Sequence, residues 1–123
     1  MAVWELKVRE KYYNAIMDGE KTVEARAPEL DGEFRYEEIE KGDVLEFCYN
    51  DDKDPSSCFE AKDLTYYESI DELLEGEVWD EIVPEAEEKD EVIEEFRDLP
   101  EDYNERIEEH GIYAIHIGKR RPS

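Results

Sequence analysis

Within residues 1–26 the chain changes hydrophobic period twice, and this limits the folds open to it. In "VWELKVR", Trp4, Leu6 and Val8 alternate with Glu5, Lys7 and Arg9, the pattern of a half-buried strand. In "EKYYNAIMDG" the period lengthens. Tyr12 with Ile16 and Tyr13 with Met17 are four-residue pairs on a helix surface, and Gly19 stands where that helix would end. Alternation returns in "KTVEAR", a second strand. Residues 27–41 follow as a long polar connection containing Pro28 and Gly32. The turn "KGD" at 41–43 then feeds the strand "VLEFCY", and the turn-rich "YNDDKDPSS" leads to a returning strand, "CFEAKDLTYY".

Helical patterns fill most of the remainder. "SIDE" reads as a capping box, in which Ser69 accepts from a backbone N–H and Glu72 reaches back to the Ser69 amide. Leu73 and Leu74 give that short helix its apolar face, and Gly76 ends it. "WDEIVPEAEEKDEVIEEFRDL" holds a second helical region, with Val92, Ile93 and Phe96 at three- and four-residue intervals. Pro100 breaks it, and Gly111 precedes a last strand, "IYAIHIG". The order β-α-β-loop-β-β-α-α-β, with strands mostly antiparallel by connection length, describes a small α+β domain with a curled sheet or barrel. A chain of 123 residues suits one domain and one modest core. The expected boundaries are 1–118 for the domain and 119–123 for a short basic C-terminal tail.

Charge restricts the partners. Asp and Glu number 38 against 15 Lys and Arg, a formal net charge of −23. The acids run through regular apolar patterns and do not form a separate tail. They fit a protein adapted to a very salty cytoplasm, where screening relieves self-repulsion; the rival is an acidic partner-binding surface. Residues 1–26 are nonetheless neutral, with Lys7, Arg9, Lys11, Lys21 and Arg26 balancing five acids. That segment and the basic residues 119–121 are where an anionic ligand would meet least repulsion. No apolar run is long enough for a membrane helix and no signal peptide is evident, which points to a cytoplasmic protein without membrane contacts. Cys48 and Cys58 flank the hairpin turn and read as reduced packing residues. With His110 and His116 they are spaced too widely for a zinc site, so neither a metal nor a cofactor is expected. His116 itself reads as a packed or surface histidine.

The polar cluster in "GEKTVEAR" has two readings. In a strand Thr22, Glu24 and Arg26 share one face, and Val23 and Ala25 form the core face. Glu24 and Arg26 then make an exposed ion pair worth about 0–1 kcal/mol. Alternatively the cluster holds a ligand. Arg26 offers a planar fork for a phosphate or base edge, Glu24 an acceptor for an exocyclic amine or water, and Lys21 a phosphate contact or a proton donor.

Four segments, "LKVREKYYNAIMDGEKTVEAR", "IEKGDVLEF", "LTYYESIDELL" and "HGIYAIHI", together resemble the ASCH domain family, relatives of the PUA-like RNA-binding fold. The family pattern, Gly-x-Lys-x-x-Glu-x-Arg followed by a Gly-Asp turn and a final Gly-Ile-x-Ala-Ile strand, is supplied by Gly19, Lys21, Glu24, Arg26, Gly42, Asp43, Gly111, Ala114 and Ile115. The resemblance implies a small PUA-like β-barrel of about five strands with surrounding and inserted helices. It also implies a cleft at the barrel mouth receiving Lys21, Glu24 and Arg26, and a role in RNA metabolism. One bacterial branch resembles amidohydrolases that deacylate a modified cytidine, with a lysine at the place of Lys21, a threonine nucleophile at the place of Glu24, and a later glutamate near Glu81. Glutamate at position 24 departs from that pattern, because a carboxylate does not replace an activated hydroxyl without changing the chemistry.

The first reading is therefore an RNA-, nucleotide- or nucleoside-binding module using Lys21, Thr22, Glu24 and Arg26. The alternatives are a hydrolase in the same cleft, acting on an acylated cytidine-type nucleoside or on RNA with Lys21 and Glu24 as the acid/base pair, and a protein-interaction module using the acidic helices of residues 69–109. Trp4, Tyr12, Tyr13, Tyr66 and Tyr67 are candidates for base stacking, although core packing is the commoner fate at these spacings, and Trp79 reads as core or cleft wall.

Overall fold

The computed structural model describes residues 2–28, 35–77 and 79–121. Its elements in chain order are β1 (Val3–Lys7), α1 (Glu10–Met17), β2 (Val23–Arg26), a 3-10 turn (Tyr36–Glu38), β3 (Val44–Cys48), β4 (Ser56–Tyr67), α2 (Ile70–Gly76), α3 (Trp79–Ile82), α4 (Lys89–Arg97), α5 (Glu101–His110) and β5 (Ile112–Arg121). The strands form one sheet in the order β1-β3-β4-β5-β2, with β1 parallel to β3 and the other neighbours antiparallel. β1 and β2 are thus the two edges.

Two long strands bend this sheet. The pairing of β4 with β5 shifts register on either side of Ala61, a bulge that increases local twist. Gly118 lies beside it, where a Cβ would sit 3.0 Å from the Glu60 carbonyl oxygen. The sheet curls into a half-barrel of the α+β, PUA-like kind.

Alternation along β5 divides the burial between two faces. Ile115 and Ile117 join Leu6, Leu45, Phe47 and Phe59 beneath α1, whereas Ile112 and Ala114 join Val23, Leu73, Val92, Phe96 and Ile107 beneath the later helices. The expectation of one core is corrected to two clusters sharing a sheet. Each is small, and β5 serves both because its two faces are both apolar.

Three local expectations change. The helical region after Trp79 is two helices, α3 and α4, and a further helix, α5, follows Pro100, which ends one helix and precedes the next. β5 continues through Lys119, Arg120 and Arg121, with Phe59 opposite Arg120 and Cys58 opposite Arg121, so these basic residues are paired strand and not a loose end. At α2, Ser69 accepts from the Glu72 amide at 3.1 Å as expected, but the Glu72 carboxylate takes the Glu68 amide at 3.0 Å in place of that of Ser69. Gly32 lies outside the described residues. Cys48 and Cys58 are free and buried; the register pairs them with Ser56 and Glu46 and does not set them opposite each other.

The Gly42–Asp43 turn anchors the β1 edge. Gly42 has φ +95°, and the buried Asp43 carboxylate accepts from the Trp4 indole at 3.0 Å, the Glu40 amide at 3.0 Å and the Ala2 amide at 3.2 Å. Asp43→Ala should cost about 2 kcal/mol of unfolding free energy, since charged acceptors contribute more than neutral ones. Chemical denaturation measures it, and a loss under about 0.5 kcal/mol would contradict the anchor.

Candidate functional site

The charged face of β2 points into the half-barrel. Glu24 is opposite Ile115 and Arg26 opposite Tyr113 on β5, and Ile115 belongs to the core beneath α1. Val23 and Ala25 face the other cluster. Both faces of β2 are therefore covered, which replaces the exposed ion pair allowed by the sequence with a buried one: Glu24 is 8% exposed.

Lys21 precedes β2 and is 3% exposed. Its Nζ donates to the carbonyl of Val23 at 2.7 Å and that of Ile82 at 2.6 Å, and lies 3.3 Å from Glu24 Oε1. The Ile82 carbonyl is one that the C-terminus of α3 leaves without an intrahelical donor. The neighbouring Glu81 carbonyl takes the Thr22 amide at 3.0 Å. Lys21 and Thr22 thereby dock α3 onto β2. Arg26 Nε donates to Glu24 Oε2 at 2.8 Å, and Nη2 donates to the Lys7 carbonyl at 2.6 Å. Lys7 ends β1, so this side chain ties together the two edges of the curled sheet.

One carboxylate serves a buried lysine and a partly buried arginine. Burial alone would raise the Glu24 carboxyl, but the charges of Arg26 and Lys21 and their hydrogen bonds hold it below its ordinary range. Burial pulls the Lys21 ammonium down, and the attraction of Glu24 offsets only part of this. Arg26 is also desolvated, yet the Glu24 charge keeps it firmly protonated.

This constellation faces a cavity of about 510 Å3 at the seam between β1 and β2. Lys7, Val8 and Arg9 line one side, and Lys21, Glu24, Ala25 and Arg26 another; Tyr12, Tyr49, Tyr103 and the apolar Ile82, Val83, Phe96 and Leu99 complete the wall. Lys21 Nζ lies 5.1 Å from the Tyr12 ring centroid. The Tyr103 hydroxyl accepts from the Ala27 amide at 3.0 Å. The second carboxylate in the wall is Glu95 of α4, which accepts from the Tyr12 hydroxyl at 3.1 Å. Volume and lining fall in the range of small-molecule sites, mostly apolar with a few convergent polar groups.

The family model of the ASCH domain matches residues 6–120, nearly the whole chain. The chain belongs to the ASCH domain family. ASCH domains are PUA-like and often linked to RNA binding. Among solved structures, the crystal structure of hypothetical protein PH0355 is 25% identical, with a TM-score of 0.77 over 95% of this chain and 98% of that one. The solution structure of protein PF0455 from Pyrococcus furiosus is 24% identical, with a TM-score of 0.69 over 95% of this chain and 96% of that one, a likeness of fold. No curated protein matches the chain. Among the described residues, no helix is long and apolar enough to cross a membrane.

Of the residues singled out in this ASCH domain by sequence, Lys21, Glu24 and Arg26 come together at the cavity and Thr22 and Glu81 do not line it. Those two meet through backbone atoms. Of the aromatic candidates, Tyr12 lines the cavity. Trp4 is tied to Asp43, and Tyr13 is buried with its hydroxyl 2.9 Å from that of Ser57. Tyr66 and Tyr67 bond the His110 carbonyl and Glu77 at the far end of β4. Trp79 packs against the cluster beneath the later helices, and His116 lies 3.1 Å from Glu77. Sequence reasoning missed Glu95, Tyr49 and Tyr103. The available signal for Glu95 was its place three residues after Val92 and one before Phe96, beside the apolar stripe of α4.

Proposed function

We propose that this ASCH domain recognises a nucleoside-sized ligand, free or as part of an RNA, in the cavity at the β1–β2 seam. The observation that carries this reading is the Lys21–Glu24–Arg26 constellation, largely buried, facing an open-mouthed cavity with aromatic and apolar walls. Glu24 has acceptor capacity for an exocyclic amine beyond its bonds to the two cations, and Arg26 supplies a planar donor fork. The Tyr12 and Phe96 rings offer apolar surface for a base. Binding is favoured over hydrolysis because the Lys21 ammonium is held by hydrogen bonds to two carbonyls and by an ion pair with Glu24. Acid/base work would compete with these contacts.

Calorimetric titration with the four ribonucleosides and a short single-stranded RNA, in high-salt buffer, tests the reading. Saturable binding is expected. Leu99→Trp, which fills the cavity and removes no charge, should weaken it at least about tenfold while leaving the melting temperature close to that of the parent. Absence of binding, or equal binding by Leu99→Trp, would refute the cavity as the site. Incubation with an N-acylated cytidine followed by chromatography checks the chemistry: acyl release that is lost in Lys21→Met would make the domain a hydrolase.

A further inference from the structure

The cavity wall carries a second carboxylate, Glu95, set among basic side chains. Glu95 projects from α4 with its side chain 28% exposed. Its Oε2 is 3.1 Å from the Tyr12 hydroxyl and 3.6 Å from Arg9 Nη1, and its Oε1 is 3.3 Å from Lys11 Nζ. Three donors from α1 and the residue before it converge on one carboxylate, the arrangement that a phosphate oxygen would seek. The Tyr12 hydroxyl stays protonated and able to donate, because burial and the Glu95 charge push its pKa up to about 12.

The other cations at the cavity are already engaged. Lys21 and Arg26 are bound to backbone carbonyls and to Glu24. Lys7 is paired with Asp51, and Lys11 also meets Glu85 at 2.6 Å. Arg9, which lines the cavity, meets Glu95 at 3.6 Å, and Lys11, beside the cavity and shared between Glu85 and Glu95, adds a second positive charge near the same carboxylate. An incoming phosphate would meet a like charge held partly out of water, where salt screens it less than on an open surface.

We propose that Glu95 is a specificity-determining residue that excludes phosphorylated ligands, so that the cavity takes an uncharged nucleoside in preference to its 5′-phosphate. The assignment of the uncharged occupant rests on the nucleoside reading above. The masked anion site formed by Arg9, Lys11 and Tyr12 does not.

Two titrations keep these apart. The first uses inorganic phosphate and follows chemical shifts of the Arg9 and Tyr12 resonances in the full chain. Glu95→Gln preserves side-chain shape and should raise phosphate affinity at least about tenfold, and adding Arg9→Ala to that variant should reverse the gain. Equal phosphate binding by the parent and Glu95→Gln would overturn the role of Glu95. The second compares each ribonucleoside with its 5′-monophosphate by calorimetry. In the parent the nucleoside should bind at least about tenfold more tightly, and Glu95→Gln should narrow that ratio by a similar factor. A monophosphate that binds the parent as well as the nucleoside overturns the selectivity. If neither class binds either protein, the nucleoside reading fails, and the phosphate titration still decides whether Glu95 masks an anion site.

Discussion

Glu24→Ala is expected to destabilise the domain by about 3–5 kcal/mol, the penalty for removing one partner of a buried ionic group. The side chain lies between two desolvated cations, 3.3 Å from Lys21 Nζ and 2.8 Å from Arg26 Nε. Without it the same interior holds two positive charges and no counterion. Lys21 still anchors α3 and Arg26 still spans the edges of the sheet, so the damage falls on the elements that frame the cavity. Denaturant unfolding at high salt measures the loss, and a change below about 1 kcal/mol would show that the constellation is not structurally coupled. An exposed pair, as the sequence alone permits, would give that smaller value.

The pH dependence has a definite sign. The folded-state pKa of Glu24 lies below the ordinary glutamate value of 4.5. Its stabilising contribution is fully present above the unfolded value and is lost as pH falls through the folded one. The stability difference between the parent and Glu24→Gln should therefore be level from pH 7 down to about 4.5 and shrink below it. Surface carboxylates titrate in both proteins and cancel in this difference. Lys21 responds oppositely at the other extreme: its depressed folded pKa means that the burial penalty on its charged form eases as pH rises towards 10.5. A difference that grows on acidification would contradict the assignment of Glu24 as the ionised member.

What could be read beforehand followed from local periodicity. β1, α1 and β2 lie where alternation and four-residue spacing put them, and Gly19, with φ +80°, follows α1 as expected. The Gly42–Asp43 turn and the Ser69 cap are local as well, each set by residues within a few positions. Parity along β2 also placed Glu24 and Arg26 on one face correctly. The solvation of that face was not legible, because it depends on the long-range curl of the sheet, across which Arg26 reaches the Lys7 carbonyl at 2.6 Å. The burial of Lys21 was not legible for the same reason: its partner carbonyl on Ile82 lies 61 residues away. Glu95 was hidden among the acids of α4, and only packing against Arg9, Lys11 and Tyr12 separates it from them. α5 was missed because Pro100 reads as a stop, although Tyr103 and Ile107 have the four-residue spacing that buries one face of the helix.

Gly111→Ala is the second large effect, about 2–6 kcal/mol, combining backbone strain with crowding. Gly111 has φ +83° and ψ −161°, a region that side chains avoid, and a Cβ there would overlap the Tyr66 hydroxyl and lie 2.5 Å from the Tyr67 carbonyl oxygen. The carbonyl is backbone of β4 and cannot rotate away. Relief would require β5 to shift against β4, and β5 also carries β2, with Ile115 opposite Glu24 and Tyr113 opposite Arg26. The disturbance therefore reaches the cavity through the start of β5, two residues before Tyr113. Gly19 provides the control. It has a similar φ of +80° with nothing within 4 Å of a built Cβ, so Gly19→Ala should show strain alone, about 1 kcal/mol. Denaturation of both variants separates the two contributions, and hydrogen exchange at the Ala114 and Ile115 amides should quicken in Gly111→Ala only. Equal losses in the two variants would mean that positive φ is the whole effect and that the tyrosine pair yields freely.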